Sequence, residues 1–292
     1  PLKHTFVDLG LSPLCENLIS PDDMDRYVVF YPLHAKVCAQ CLLVQVGDYV
    51  SPEEIYSEYA YFSSYSDSLV AHAKKYTDEM CKRLDIGADS FVVELASNDG
   101  YLLRHFVDRQ IPVLGIEPAA NVAEVARENG IPTEVAFFGR ETAETIRQHH
   151  GTPDLLIGNN VLAHVPDLND FVTGMKILLK PGGVITMEFP HLLRLIEQNQ
   201  FDTIYHEHFS YFSLATAERV FQAHGMTIFD VKELKSHGGS LSIFARHDDD
   251  NSQKVSRAVV DLKSVETQAG LDDVATYSAF AQQVKKTKRE LL

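Results

Sequence analysis

The sequence is short of positive charge, of cysteine and of long apolar runs, and each shortage excludes a class of protein. Its 292 residues hold 26 Lys and Arg against 41 Asp and Glu, a formal net charge of −15. That balance argues against a general nucleic-acid-binding or anionic-membrane surface. No apolar run approaches the roughly 20 residues that cross a bilayer. The four cysteines do not make a disulfide scaffold in a chain of this size.

The rest of the composition is that of a globular protein, with 45% hydrophobic and 23% charged residues. The length allows one large domain or two smaller ones. The sequence starts at Pro1 without a signal-peptide pattern. We therefore expect a cytoplasmic protein whose start is processed or missing. We also expect a monomer or a weak homo-oligomer.

The chain is organised around an apolar run that ends in a small polar turn. Residues 91–96 predict a buried strand interrupted by Glu94, and residues 97–100, Ser-Asn-Asp-Gly, are turn formers. The apolar positions of residues 102–106 fit the inner face of a short helix. Such a strand–turn–helix unit is where an open α/β sheet presents backbone N–H groups to a ligand.

A second strand, predicted over residues 113–118, carries an acid, Glu117, at its carboxyl end. The two oxygens of a carboxylate match the two hydroxyls of a ribose, as in nucleotide-binding sheets. The preceding turn lacks the GxGxxG pattern that lets a backbone approach a diphosphate closely. A ligand with a ribose and no diphosphate fits better, and S-adenosylmethionine (SAM) is the obvious one.

Strands and helices alternate through the rest of the central region. Asn121 and Glu124 have the spacing of a capping box at the start of one helix. This alternation predicts an α/β fold with a doubly wound, Rossmann-like parallel sheet, whose ligands bind at the carboxyl ends of the strands. The further strands are predicted over residues 133–136, 154–160 and 184–189, with an antiparallel pair over 227–234 and 241–246.

Residues 205–208 bring together a tyrosine, two histidines and a glutamate. His206 and His208 are expected to share one face of a strand, and a metal site is one interpretation. The spacings HxxxH and HExxH are absent from this cluster, and no third ligand is well placed. An acid–base site makes better chemical sense, because neutral imidazole, with a pKa of about 6.5, accepts a proton near neutral pH.

The N-terminal region holds a CxxC pair and an aromatic cluster. Cys38 and Cys41 have the spacing with which two thiolates grip zinc, but a structural site needs four ligands. Two free thiols in a turn are an equal alternative. Tyrosines, a phenylalanine and serines alternate over residues 56–66, which favours an aromatic hinge between domains.

Several of these motifs together resemble one family. They are similar to those of the class I SAM-dependent methyltransferases, and specifically of the nucleotide-sugar C-methyltransferases. Members of that family carry a small N-terminal zinc-binding domain and a C-terminal C-methyltransferase domain. The motifs that carry the resemblance are Glu94, residues 97–100, Glu117-Pro118 and Tyr205-x-Glu207-His208.

The resemblance implies a reaction and a role for each candidate residue. A 4-keto-deoxysugar attached to a nucleotide would be methylated at C3 through an enolate, with His208 as the base. Glu207 would orient or polarise His208, and Tyr205 or Tyr61 would stabilise the enolate oxygen. Contacts with SAM are implied for Glu94, Ser97, Asn98, Gly100, Glu117, Pro118, Asn159 and Asn160. Contacts with the substrate are implied for His164, Glu188 and His237.

The resemblance also divides the chain. Residues 1–60 would be a partial zinc-binding domain with Cys38 and Cys41 as ligands, and residues 61–250 the methyltransferase domain. Residues 251–292 would begin a C-terminal substrate-binding domain. In the family a first CxxC precedes the segment with which this sequence begins. We therefore expect truncation at both ends, and structural zinc that is weakly held or lost.

Two other functions stay open on the sequence. The same sheet serves SAM-dependent methyltransferases of an oxygen, a nitrogen or another small acceptor, and it also serves non-catalytic SAM-binding modules. The cluster at residues 205–208 argues against a module, because a sensor needs no general base. We expect a small-molecule partner, and neither a nucleic acid nor a membrane.

Overall fold

The structure, a computed structural model, describes residues 2–15, 19–56 and 59–292. The strands of this part form two sheets. In chain order they are β1 (Leu2–Ser12), β2 (Tyr31–Cys38), β3 (Val44–Val46), β4 (Val92–Leu95), β5 (Val113–Ile116), β6 (Thr133–Glu134), β7 (Leu155–Asn159), β8 (Val184–Pro190), β9 (Ser210–Tyr211), β10 (Met226–Leu234) and β11 (Ser240–His247).

Helices cover the larger sheet and pack onto the smaller one. Among the described residues, no helix has the length and apolar character needed to cross a membrane. The α-helices are α1 (Pro52–Tyr56), α2 (Asp67–Leu84), α3 (Arg104–Val107), α4 (Ala120–Glu128), α5 (Arg140–His150), α6 (Leu168–Leu178), α7 (Leu192–Glu197), α8 (Leu214–Ala223), α9 (Arg257–Gln268) and α10 (Val274–Leu291).

The larger sheet has the strand order β10-β11-β8-β7-β4-β5-β6. The strands from β4 to β8 pair in parallel, and β11 joins β8 antiparallel with β10 outside it. In β4, Val92, Val93 and Leu95 are all fully buried, as expected for a strand covered by helices on both faces of the sheet. The predicted doubly wound α/β sheet, with its final antiparallel pair, is confirmed.

The smaller sheet has the order β1-β2-β3-β9, and its last strand comes from far along the chain. Val44 of β3 lies opposite Tyr211 of β9. The N–H of Val46 donates to the carbonyl of Phe209 at 3.1 Å. The N-terminal sheet therefore continues onto the segment that directly follows residues 205–208.

The C-terminal helices contact both sheets. Helix α9 packs against α8 and β10, and α10 packs against β1. The ring of Phe6 in β1 stacks on Phe280 with centroids 4.6 Å apart, and Tyr277 meets it edge-on at 6.3 Å. Residues 251–292 thus cover the N-terminal sheet as well as the edge of the larger one.

The predicted capping box at Asn121 is wrong. Helix α4 is capped at Ala119, whose side chain makes no capping bond, and Asn121 lies inside the helix. The Asn121 amide instead accepts the N–H of Tyr59 at 3.3 Å and donates to its carbonyl at 2.8 Å. A partner from the aromatic cluster thereby replaces the local capping role.

The strand predicted for His206 and His208 is also wrong. Residues 205–208 form a turn, in which the N–H of His208 donates to the carbonyl of Tyr205 at 3.1 Å. The two imidazoles then bond in different directions. Nε2 of His206 donates to the carbonyl of Pro32 at 3.2 Å, so His206 fastens the turn to the N-terminal sheet.

Candidate active site

A cavity of about 700 Å³ lies at the carboxyl ends of the parallel strands. Its wall takes residues from the ends of β4, β5 and β7, from the turn at 205–208, and from N-terminal segments. The predicted site residues that line it form a strand end, made by Asn98, Glu117, Pro118, Asn159 and Asn160, and a histidine end, made by Tyr61, His164, Tyr205, Glu207, His208 and His237.

The other predicted site residues lie behind the cavity wall or in the N-terminal sheet. Behind the wall are Glu94 in β4, Ser97 and Gly100 in the following turn, and Glu188 in β8. Cys38 and Cys41 lie at the turn between β2 and β3.

Glu117 follows β5 and presents its carboxylate at the strand end. Its Oε2 accepts the N–H of Asn98, and its Oε1 accepts the N–H of Ala119, both at 2.9 Å. Burial raises the pKa of Glu117, while the two N–H groups act in the opposite direction. The backbone therefore fixes this carboxylate beside the cavity with lone pairs still available to a ligand.

The turn after β4 has an unusual backbone that close packing explains. Ala96, Asn98 and Gly100 all have positive φ angles, of 53°, 50° and 77°. A Cβ on Gly100 would lie 2.7 Å from Cγ1 of Ile131, so glycine is required there for packing as well as for its backbone angle. The turn thus brings its N–H groups to the strand end.

The side chains of this turn hold the aromatic cluster, a role that the sequence did not reveal. Oδ1 of Asn98 accepts the N–H of Ser63 at 2.8 Å, and its Nδ2 donates to the carbonyl of Tyr61 at 3.1 Å. Oδ2 of Asp99 accepts the N–H of Ser64 at 3.1 Å. Asn98 therefore positions the segment that carries Tyr61, whose side chain is 44% exposed.

Buried oxygen atoms behind the strand end fit a cationic ligand. Oε2 of Glu94, Oδ1 of Asp99 and Oδ1 of Asn160 have no hydrogen-bond partner within residues 2–15, 19–56 and 59–292. Burial, with the charges of Glu117 and Asp99, raises the pKa of Glu94 well above its ordinary value. Each unpartnered acceptor costs about 1–3 kcal/mol, which a ligand with hydrogen-bond donors offsets. SAM brings an ammonium group, ribose hydroxyls and a positive sulfonium, so these residues fit it.

His208 is held in one tautomer at the histidine end. Its Nδ1 lies 3.0 Å from the carbonyl of Thr203, and its Nε2 lies 2.9 Å from the hydroxyl of Tyr205. Because a carbonyl only accepts, Nδ1 carries the proton and Nε2 accepts from Tyr205. Burial lowers the pKa of His208 to about 4, against the opposite effect of Thr203. The imidazole is therefore neutral at pH 7.

His164 lies beside His208 and is paired with a tyrosine to which the sequence assigned no separate role. The His164 and His208 rings are 4.7 Å apart in an edge arrangement. Nδ1 of His164 lies 2.8 Å from the hydroxyl of Tyr56. Burial, then the charges of His208 and His237, lowers the pKa of His164 well below its ordinary value. Tyr56 belongs to the tyrosine cluster of residues 56–66, and that cluster was the only signal for it.

Glu207 lies in the same turn as His208 and bonds to a cysteine from the N-terminal region. Both ring nitrogens of His208 bond to Thr203 and Tyr205, so the predicted role of Glu207 in orienting or polarising that ring would have to act without a hydrogen bond to these nitrogens. Its Oε1 instead accepts the S–H of Cys15 at 3.0 Å. Cys15 and Glu207 both line the cavity, and no pattern in the sequence singled out Cys15 for this site.

Cys38 and Cys41 occupy a tight turn in the N-terminal sheet. The N–H of Leu42 donates to the carbonyl of Cys38 at 2.8 Å. The backbone N–H of Cys41 is the main cause that lowers the pKa of Cys38 to about 7, whereas burial raises the pKa of Cys41. Within the described part of the chain, no three or more His, Cys, Asp or Glu side chains are grouped to hold a metal ion. The turn thus offers two of the four ligands that structural zinc takes, and zinc here stays a prediction.

Three family models match the chain in succession. A model described as "Putative zinc binding domain" matches residues 1–56. A methyltransferase domain matches residues 71–231, which is more than half of the chain. A C-methyltransferase C-terminal domain matches residues 235–292.

Individual proteins that are similar to this chain extend this finding. The C-methyltransferase NovU of Streptomyces niveus is 34% identical over 285 residues, which cover 98% of this chain and 68% of that protein. A ubiquinone biosynthesis O-methyltransferase of Chelativorans sp. (strain BNC1) is 26% identical over 95 residues, 32% of this chain and 38% of that protein. The solved structure of the PH0226 protein from Pyrococcus horikoshii OT3 shares the fold, with a TM-score of 0.50 and 15% identity over 64% of this chain and 94% of its own. Because the sequence match runs through almost the whole chain, the protein belongs to the family of SAM-dependent C-methyltransferases.

Proposed function

We propose that this enzyme transfers the methyl group of SAM to C3 of a 4-keto-deoxysugar attached to a nucleotide. The observation that carries the proposal is the pair of Tyr205 and His208 at the histidine end, 2.9 Å apart and with a fixed tautomer. A carbon acceptor must lose a proton to a base before it becomes a nucleophile. Binding of SAM at the strand end requires no base. The similarity to a C-methyltransferase over 98% of the chain supports a carbon acceptor.

The Tyr205–His208 pair can remove a proton from a carbon beside a ketone. Nε2 of His208 carries the lone pair, and in the structure it accepts the Tyr205 hydroxyl. If that hydroxyl turns to the ketone oxygen, it stabilises the developing enolate and frees Nε2 to take the C3 proton. The C–H electron pair then moves into the enolate. Bound SAM supplies an electrophilic methyl group for C3.

Burial keeps the His208 imidazole unprotonated, and it also makes this imidazole a weak base. Its pKa of about 4 leaves it neutral at pH 7, so no proton has to leave before it acts. The enolate charge beside the ring stabilises the imidazolium, because charges interact strongly in a buried site. His164, with its lowered pKa, adds no competing positive charge. We propose that it contacts the sugar.

The strand end would hold SAM. Glu117 would accept the ribose hydroxyls through the lone pairs that the backbone does not use. The unpartnered Oδ1 of Asn160, which lines the cavity, would accept the ammonium group, with the unpartnered oxygens of Glu94 and Asp99 behind the wall. These roles follow from the kind of atom and its burial.

The charged residues that line the cavity indicate which part of the substrate enters it. Among the described residues that line it, none is Lys or Arg, and none of the residues outside the description is basic. A diphosphate is normally matched by such side chains. We therefore expect the sugar ring to enter the cavity while the nucleoside diphosphate lies outside it. The carboxylates of the lining are Glu53, Glu117, Asp167, Asp170 and Glu207.

Exchange in deuterated water tests the proposal without methyl transfer. Nucleoside diphosphate 4-keto-6-deoxyhexoses are incubated with the enzyme alone, and deuterium is located by NMR. We expect exchange at C3 with wild type and its loss in His208→Ala, with calorimetric SAM binding unchanged in that variant. Exchange at the other carbon beside the ketone would correct the position. Methyl transfer to oxygen or nitrogen without any exchange would overturn the carbon acceptor.

A further inference from the structure

Behind the histidine end, three side chains from three elements form a continuous set of hydrogen bonds. Nε2 of His72, on α2, donates to Oε2 of Glu188 at 2.9 Å. The hydroxyl of Ser236, in the turn between β10 and β11, donates to Oε1 of the same carboxylate at 2.6 Å. Glu188 is only 3% exposed. The predicted substrate contact at Glu188 lies behind the cavity wall, and each of its oxygens has a protein partner.

The turn beyond Ser236 carries a histidine into the cavity wall. His237 has φ 49° and ψ 37°, a left-handed conformation that costs a side chain such as histidine about 1 kcal/mol or more. Such a conformation persists only where neighbouring bonds fix it. Here the carbonyl of Ser236 accepts the N–H of Gly239 at 2.8 Å and the hydroxyl of Ser240 at 3.0 Å. Because the His237 side chain is exposed, its place depends on this backbone.

We propose that His72 is a positioning residue for the acceptor: it keeps Glu188 bonded to Ser236 and thereby fixes the turn that presents His237 to the cavity. Nothing in the sequence patterns singled out His72. Its effect on the acceptor rests on the proposed function, but its effect on the turn does not.

The electrostatics of Glu188 explain why His72 matters. Burial favours protonation of this carboxyl, yet the hydrogen bonds from His72 and Ser236 prevail and lower its pKa below the ordinary value. The hydrogen bond to Glu188 is also the main cause that raises the pKa of His72. Without the imidazole, the largest cause that lowers the pKa of Glu188 is lost, so burial raises this pKa. The Ser236 hydroxyl then donates to a carboxyl with less negative charge, so the bond that anchors the turn weakens.

Helix α2 keeps other contacts when His72 is removed. The hydroxyl of Tyr76, one turn further along, bonds to Thr186 of β8. Lys232 of β10 pairs with Glu79, also on α2. Glu79→Gln is therefore a matched control, because it removes another α2 bond to the β10 edge without touching the Ser236 turn.

The first readout is the NMR signal of the His237 ring in protein with isotope-labelled histidine, assigned with His237→Asn. We expect this signal to shift in His72→Ala and in Ser236→Ala. It should stay in place in Glu79→Gln and return in His72→Gln, because a glutamine amide can donate to Glu188 at a similar reach. An unmoved signal in Ser236→Ala, or in a folded His72→Ala, overturns the inference.

The second readout separates the acceptor from the cofactor. With a nucleoside diphosphate 4-keto-6-deoxyhexose that wild type methylates, we expect KM to rise about tenfold in His72→Ala, because a displaced His237 costs the acceptor about one hydrogen bond. The Kd for SAM should not change, and His72→Gln should restore KM. An unchanged KM, or an equal loss of SAM binding, would overturn the positioning role. If the His237 signal shifts as expected but no such sugar is methylated by wild type, the proposed function fails while the positioning of the turn stands.

Discussion

At the strand end of the cavity, Glu117 is held by backbone N–H groups, whereas at the histidine end the polar side chains hold one another. The strand-end bonds come from Asn98 and Ala119, both in loops that directly follow neighbouring strands. At the histidine end, Tyr205 pairs with His208, Tyr56 with His164, and Cys15 with Glu207. Two of these three pairs join segments more than a hundred residues apart.

The difference teaches that the two ends should respond differently to substitution. A carboxylate held by backbone keeps its place when a neighbouring side chain changes. A pair of side chains loses its geometry when either member changes, and a buried partner is then left unsatisfied. We therefore expect cofactor binding to tolerate change around it and acceptor chemistry to be fragile.

The largest effect is expected from a substitution that disrupts the histidine end alone. Tyr205→Phe removes the hydroxyl from Nε2 of His208. We expect kcat for methyl transfer to fall about 100-fold, as when an oxyanion donor is lost, with the Kd for SAM unchanged. Transfer from labelled SAM measures the rate, and Tyr65→Phe, at a tyrosine that is 82% exposed, is the control. A near-normal kcat would show that His208 works without this hydroxyl.

The next prediction concerns the pH dependence of stability that arises from His208 at the histidine end. The pKa of His208 is about 4 in the folded protein and about 6.5 when unfolded. Between these values the unfolded chain binds a proton that the folded chain does not, so stability falls as pH falls. From pH 7.5 to 4.5 we expect wild type to lose about 2–3 kcal/mol more than His208→Gln, at about 1.4 kcal/mol per pH unit. Urea unfolding of both proteins measures this.

A carboxyl behind the strand end should give stability the opposite dependence on pH. Burial raises the pKa of Glu94, so the folded chain keeps a proton that the unfolded chain loses above about pH 4.3. Stability from this group therefore falls as pH rises, and Glu94→Gln should remove that loss. Equal pH responses in the His208 and Glu94 variants would contradict the contrast between the two ends.

The smallest effect concerns the cofactor. Glu117→Ala should raise the Kd for SAM about tenfold in calorimetry, because one charged hydrogen-bonding partner is lost while the other acceptors remain. Deuterium exchange at C3 should persist, since the histidine end is intact. Glu124→Ala, at a carboxylate that is 64% exposed on α4, is the control. Unchanged SAM binding would remove Glu117 from the cofactor site.

The sequence was informative where a residue and its partner lie close along the chain. The strand that contains Glu94 and the acid at the end of β5 were both predicted from local pattern. Those patterns depend on backbone geometry and on burial, which repeat at fixed spacings.

The rest depends on partners that no spacing reveals. Asn98 binds the segment of Tyr61, and the Glu207 carboxylate meets Cys15. His206 and His208 bond in different directions because residues 205–208 turn toward the N-terminal sheet. Tertiary contacts between distant segments decide each of these, so local propensity carries no information about them.

The pairing of β3 with β9 has a consequence for recombining members of this family. A backbone hydrogen bond joins Val46 to Phe209. Residues 205–208 directly precede Phe209 in the chain. A crossover that takes the N-terminal sheet from one parent and the Tyr205 turn from another would join halves that were never selected together. In shuffled libraries, these two segments should be inherited as one block, although the whole parallel sheet lies between them in the gene.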